Sequence, residues 1–147
     1  MPKPPLPAEL DALLAEPNPA VMATVAADGA PVTVATWYLW EGGRILLNLD
    51  GGRKRLAHLG RDPRVSLTVL DGASWYTHVS LRGRVASIED DSDLADIDRL
   101  SRHYRGYSYS NRERLRVSVW VDVEHWHAWG AGELAPRSAA PGRRAAV

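Results

Sequence analysis

The sequence predicts a mainly β chain, a small antiparallel barrel of six strands with a few short helices. Three observations point there. Short apolar runs are separated by tight-turn signals, Asp28-Gly29, Glu41-Gly42-Gly43 and Asp71-Gly72, which join neighbouring strands as hairpins. Leu115, Val117, Val119, Val121 and Val123 alternate with Arg116, Ser118, Trp120 and Asp122, the period of a half-buried strand. Strand–helix units do not repeat and no G-x-G-x-x-G run occurs, which argues against a parallel dinucleotide-binding sheet.

The elements follow in order. Leu6, Leu10, Leu13 and Leu14 share one face of a short helix that Pro17 and Pro19 end. Ala20 to Ala26 is the first strand and Val32 to Trp40 the second, the latter apolar on both faces and so covered on both. Arg44 to Leu49 is the third. A short basic helix then runs to Pro63. Val65 to Leu70 and Trp75 to Val85 are the next strands. The second of these sends Trp75, Thr77, Val79 and Leu81 one way and Tyr76, His78, Ser80 and Arg82 the other, with Gly83 marking a bend or bulge. Asp90, Asp91, Ser92 and Asp93 bring capping groups to a helix whose apolar stripe is Leu94, Ile97, Leu100 and Tyr104. A loop with Tyr107 and Tyr109 leads to the strand from Leu115, and the stretch His125 to Gly130 closes the folded part.

Domain organisation is simple: a helical segment over 1–18, a barrel over 19–130, and a tail over 131–147 that is expected to be disordered, being Ala, Pro, Gly and Arg without period. The net charge is zero, which argues against a nucleic-acid footprint. The absence of cysteine excludes disulfides, thiolate chemistry and cysteine-ligated metal. His125 and His127 lack a third ligand at a convincing spacing, so no metal is expected. No nucleophile–base–acid set is visible, and catalytic residues are assigned to none. With no secretory h-region after Met1-Pro2-Lys3-Pro4-Pro5 and no apolar run of spanning length, the expectation is a cytoplasmic protein that does not enter a membrane. Six tryptophans and five tyrosines without a phenylalanine favour places where a ring has one apolar and one polar edge, such as clefts and interfaces.

The segment Gly52 to Arg64 concentrates positive charge at a helix start, directly after a strand and a turn. Free N–H groups there attract an anion, and arginines hold phosphate with directed, charge-assisted bonds. The competing reading is a solvated basic turn.

Ala23-Thr24-Val25, Asp28 to Val32, Trp37-Tyr38, Gly52 to Arg55 and His58-Leu59-Gly60-Arg61-Asp62-Pro63-Arg64-Val65 occur in one order. Together they resemble the pyridoxamine 5'-phosphate oxidase-like split barrels, and among these the branch that uses the deazaflavin coenzyme F420. The resemblance covers Ala20 to Trp129. It implies an FMN-binding split barrel, a homodimer with cofactor clefts between subunits, and a cofactor phosphate against the third strand and the basic turn. In this sequence that points to Asn48, Leu49, Asp50, Arg53 and Arg55. One departure is Arg55, where the family often has lysine; a planar fork is not an ammonium.

The residues themselves leave alternatives. Arg53 and Arg55 read as phosphate ligands; Lys54 points either to phosphate or to solvent. Asn48 and Asp50 share a strand face and meet the ligand or simply end a strand, and Leu49 and Asp50 also offer backbone groups. His58 caps the helix or touches phosphate. Trp37, Trp75 and Tyr76 flank a planar ring or pack core and interface. The function implied is an oxidoreductase passing hydride from reduced F420 to a small organic electrophile of enone, quinone or tetrapyrrole type. The chemistry would be the cofactor's, with no dedicated acid or base required. An FMN enzyme of the same fold and a non-catalytic F420 or flavin carrier are the alternatives. Arg61, Arg64, Arg82 and Arg84 are candidates for the anionic tail that distinguishes F420 from FMN.

Overall fold

The computed structural model describes residues 1–130; the expected tail over 131–147 lies outside the described residues. Three helices, α1 (Ala8–Ala15), α2 (Lys54–Arg61) and α3 (Ala95–Arg105), accompany seven strands. These are β1 (Ala20–Val25), β2 (Pro31–Thr36), β3 (Leu39–Glu41), β4 (Arg44–Asp50), β5 (Arg64–Asp71), β6 (Ser74–Asp90) and β7 (Arg116–Trp129).

The mainly antiparallel β class is as expected, but the strand count is seven, not six. The apolar run Val32 to Trp40 is two strands, with Trp37 and Tyr38 between them. Tyr38 is the reason. Its ring is fully buried, and a buried hydroxyl needs an acceptor. It donates to the Leu14 carbonyl at 2.8 Å, drawing the chain off the ladder toward the end of α1.

The sheet order is β2-β1-β5-β6-β7-β4-β3. Its two edges, β2 and β3, are consecutive in the chain and separated by two residues. A chain that short spans only about 10 Å, so the sheet must curl until its edges meet at Trp37-Tyr38. The result is a barrel joined there by covalent chain rather than by ladder bonds.

Alternation then sorts the side chains. Ile45, Leu47 and Leu49 of β4 face Val121, Val119 and Val117 of β7, and Met22, Leu67, Val69, Val79 and Leu81 complete the interior. Leu6, Leu10, Leu13 and Leu14 join the same core, so α1 plugs the barrel. At about 25 cal/mol per Å² of apolar surface, each buried leucine contributes roughly 1.5–3 kcal/mol.

β6 and β7 are longer than the sequence suggested, because their ladder continues past irregularities between Arg82 and Gly83 and between Val85 and Ser87. Gly83 is required there: a Cβ would stand 2.3 Å from the Asp122 carbonyl oxygen. Helix α3 starts from Leu94 with a left-handed φ of 61°, and carboxylates do the capping. Asp93 Oδ1 accepts from Ala95 N, while Asp91 accepts from Asp96 N and Ile97 N. Gly106, φ 86°, ends the helix. Among the described residues no helix is long and apolar enough to cross a membrane.

Candidate functional site

On β4 the residues that alternate with the core leucines are Leu46, Asn48 and Asp50, and their ladder partners on β7 are Trp120, Ser118 and Arg116. This outer face is covered by α3. Asp91, just before the helix, binds Asn48 Nδ2 at 3.0 Å, and Ser118 Oγ donates to Asp96 Oδ2 at 2.7 Å. Beside that seam the face opens into a cleft of about 550 Å³, within the range of small-molecule sites.

One wall of the cleft is apolar, formed by Pro19, Ala20, Ala35, Trp37, Ile97, Leu100 and Tyr104. Trp37 is already stacked. Tyr104 lies 5.3 Å away at an interplanar angle of 9°, and the Arg105 guanidinium sits 5.0 Å from the Trp37 ring. The Tyr104 hydroxyl donates to the Asn18 carbonyl at 2.7 Å, and burial pushes its pKa well above the usual phenol value. It is therefore a fixed wall rather than a proton source.

The other end is cationic. Arg53, the residue that precedes α2, Arg55 in its first turn and Arg116 all line it. None of the ion pairs among the described residues involves these three or Arg105. Arg55 Nε is buried with no hydrogen-bond partner. Burial, with the charges of Arg53 and Arg116 behind it, holds the Arg55 pKa below its ordinary value. An anion placed here would satisfy the orphan donor and relieve the mutual repulsion.

Asp50 does not cancel this charge, because its carboxylate is occupied. Oδ1 accepts from Gly52 N at 3.0 Å and Oδ2 from Arg114 Nη1 at 2.6 Å. The Arg114 hydrogen bond is the main reason its pKa lies below the usual carboxylate range.

Of the ten residues nominated from sequence, the structure brings Trp37, Asn48, Asp50, Arg53 and Arg55 to one cleft. The others lie elsewhere. Leu49 is in the core and pairs with Val117. Lys54 is exposed outside the cleft lining. His58 turns its Nδ1 to Thr24 Oγ1 at 3.0 Å, joining α2 to β1. Trp75 and Tyr76 are exposed at the β5–β6 hairpin, outside the cleft lining, and stack on each other, 4.4 Å between centroids, although adjacent residues of a regular strand point apart. The ladder irregularity between Leu70 and Asp71 allows this. Arg61, Arg64, Arg82 and Arg84 lie outside the cleft; Arg64 is paired with Asp62 and Arg84 with Glu124.

Sequence reasoning missed Arg105 and Arg116. Arg116 sat on the polar side of a cleanly alternating strand, where arginine reads as solvated. The available signal was complementarity: Arg116 and Ser118 share a face with the acidic start of α3 still to be packed.

The profile of the pyridoxamine 5'-phosphate oxidase family matches residues 6–130. Among curated proteins no sequence matches the chain. Among solved structures, an F420 reductase is 26% identical over 83% of this chain and 98% of its own, with a TM-score of 0.76. A conserved hypothetical protein, Rv2991 from Mycobacterium tuberculosis, is 24% identical over 96% of this chain and 95% of its own, TM-score 0.68. General Stress Protein 26 from Bacillus anthracis is 17% identical over 82% and 91%, TM-score 0.64. The last two show the shared fold. With the family profile spanning nearly every described residue, the chain belongs to the pyridoxamine 5'-phosphate oxidase family.

Proposed function

We propose that this chain is an oxidoreductase that holds a phosphate-bearing deazaflavin, F420, in the cleft and reduces a small organic electrophile. The observation that carries the reading is the cationic end: Arg53, Arg55 and Arg116 line it without a carboxylate partner, and Arg55 Nε is buried and unsatisfied. Arg116 is buried and Arg55 partly buried, with Arg53 exposed beside them; a folded protein does not draw such cations out of water together for stability, so they mark a place for an anion. The F420 reductase at 26% identity supports the deazaflavin.

The chain's own residues divide the work. Arg53 and Arg55 bind the phosphate. Trp37, fixed between its contacts with Tyr104 and Arg105, walls the apolar side against which a flat ring can lie and from which water is excluded. A bound reduced cofactor would supply hydride for an electrophilic carbon of the substrate, with water as the proton source. A second copy of the chain completes the cleft: Val21, Thr33 and Ala35 leave an exposed, small-residue face on β1 and β2 beside it.

FMN is the second reading, and one observation favours it. The four arginines that suggested a long anionic tail stand away from the cleft, which leaves Arg105 as its cation beyond the phosphate end. Titration of the purified chain with F420 and FMN separately, followed by fluorescence, decides between them. Tighter F420 binding is expected; tighter FMN binding reverses the assignment, and binding of neither removes it. Oxidation of the reduced cofactor by a panel of enones, quinones and tetrapyrroles separates an enzyme from a carrier.

A further inference from the structure

We infer that Arg116 is a third anion contact of the cleft and that Asn48 is a positioning residue, an uncharged spacer that keeps the Arg116 charge available. The inference rests on the cleft being an anion site, and it adds two roles to that reading.

Arg116 is 9% exposed, and a buried cation is costly unless it is neutralised. Carboxylates surround it, yet none pairs with it. Asp50 is held by Arg114 and Gly52 N. Asp98 is held by Arg112 and Tyr109 N. Asp91 accepts from Asn48 and from two backbone N–H groups of α3, and Asp96 accepts from Ser118 and Arg99. Arg116 instead donates to neutral oxygens of one residue: Nε to Asn48 Oδ1 at 2.9 Å and Nη2 to the Asn48 carbonyl at 3.1 Å. The Tyr109 ring covers it at 5.2 Å.

The chemistry of the partners fixes the Asn48 amide. A guanidinium only donates, so Oδ1 faces Arg116; a carboxylate only accepts, so Nδ2 faces Asp91. The same Nδ2 lies 3.2 Å from Ser118 Oγ. An amide is the group that satisfies both neighbours here without letting them form an ion pair. An aspartate in its place would neutralise Arg116, and a small residue would leave Asp91 free to turn toward it. The sequence thus spends a buried asparagine on holding the carboxylate and the guanidinium apart, which makes sense where the guanidinium is reserved for an outside anion. The ligand chemistry this fits is a phosphate group, held by Arg53 and Arg55 from the α2 side and by Arg116 from the sheet.

The test is thermal unfolding of the full chain with and without inorganic phosphate, ionic strength matched with sodium chloride. Wild type is expected to gain stability with phosphate. Arg116→Gln should raise the apparent phosphate dissociation constant about 10-fold or more. Its phosphate-free Tm should equal or exceed that of wild type, because an unneutralised buried cation has gone. Arg116→Lys should retain part of the phosphate response. Asn48→Asp should lose most of the response while Arg116 is intact; if it does not fold, Asn48→Ser is expected to show the same loss. A full phosphate response in Arg116→Gln overturns the Arg116 assignment, as does a lower phosphate-free Tm with the response unchanged. A full response in the folded Asn48 variant overturns the spacer role. F420 and FMN titrations of the same proteins separate the two levels. Phosphate loss in Arg116→Gln alongside no cofactor binding in wild type sinks the cofactor reading alone, and undiminished cofactor affinity in Arg116→Gln sinks the inference alone.

Discussion

Arginines stand in two different settings in this electrically neutral chain. On the outer face of β5 and β6, Arg64 pairs with Asp62 at 2.7 Å and Arg84 with Glu124 at 3.4 Å, and at the first residue of β4 Arg44 pairs with Asp122 at 2.8 Å. At the cleft, Arg53, Arg55 and Arg116 have no carboxylate partner, although Asp50 lies opposite Arg116 in the ladder and Asp91 N bonds the Arg116 carbonyl. The difference teaches that a charge count says little about a site. What matters is which cations have been given a partner and which have been denied one, and the denial takes extra residues: Arg114 for Asp50, Arg112 for Asp98 and Asn48 for Asp91.

The sharpest way to break the contrast is charge reversal on each side. Arg55→Glu should weaken F420 or FMN binding by more than about 100-fold, since it removes a charge-assisted contact and adds repulsion. Arg84→Glu should change the dissociation constant less than about twofold, because the exposed outer face is screened. Equal losses in a fluorescence titration would mean a general electrostatic field, not a built site.

A lesion in the shared sheet should behave differently from both. Gly83→Ala sets a Cβ 2.3 Å from the Asp122 carbonyl and 2.9 Å from Val121 Cγ1. Neither is a flexible side-chain end, so the strands must shift, at roughly 2–3 kcal/mol. Calorimetry should show a Tm drop of about 6–12 °C, with cofactor affinity of the folded fraction nearly unchanged. A large affinity loss would tie the outer sheet to the cleft and blur the two settings.

Much of this was legible in the chain and some was not. The hairpins and the alternation of Val117, Val119 and Val121 were readable because barrel-facing side chains leave a period in the sequence, although Leu115 is exposed and Arg116 and Ser118 on the opposite face are buried as well. Trp37-Tyr38 was not, since a stretch apolar on both faces hides where it leaves the ladder; only the need of the Tyr38 hydroxyl for an acceptor explains the break. The basic turn showed Arg53 and Arg55, which are neighbours in sequence. Arg116 was invisible because it comes to them only through the β4–β7 register, opposite Asp50. Trp75 and Tyr76 invited a ring-binding role by residue type, and type does not reveal that they stack with each other outside the cleft lining.

Acid offers a gentler probe. The hydrogen bond from Arg114 holds Asp50 below the usual carboxylate range, and that from Arg112 does the same for Asp98. Each folded value lies below the unfolded one, so the stabilisation is complete above about pH 4 and is lost as pH falls through the folded values. His103 adds an earlier, shallower loss. Burial holds its pKa below the ordinary 6.5, so the unfolded chain binds that proton first and stability declines once pH drops below about 6.5. Tm measured against pH should show both steps, and Asp50→Asn with Asp98→Asn should flatten the lower one.

The smallest effect is the most pointed. Arg64 donates to Asp62 through both Nε and Nη2, at 3.0 Å and 2.7 Å, the best-aligned ion pair on the outer side. Geometry alone would rank it above Arg116, which has no ionic partner. Yet Arg64 is open to water and Asp62 partly so, and water solvates the charges and screens their attraction. Arg64→Gln should move Tm by no more than about 1 °C at pH 7 and leave cofactor binding as it was. Arg116→Gln, losing no ion pair, should weaken the phosphate response about 10-fold or more. If the order came out reversed, the visible pair would be the important one, and the cations left without partners would be ordinary buried side chains.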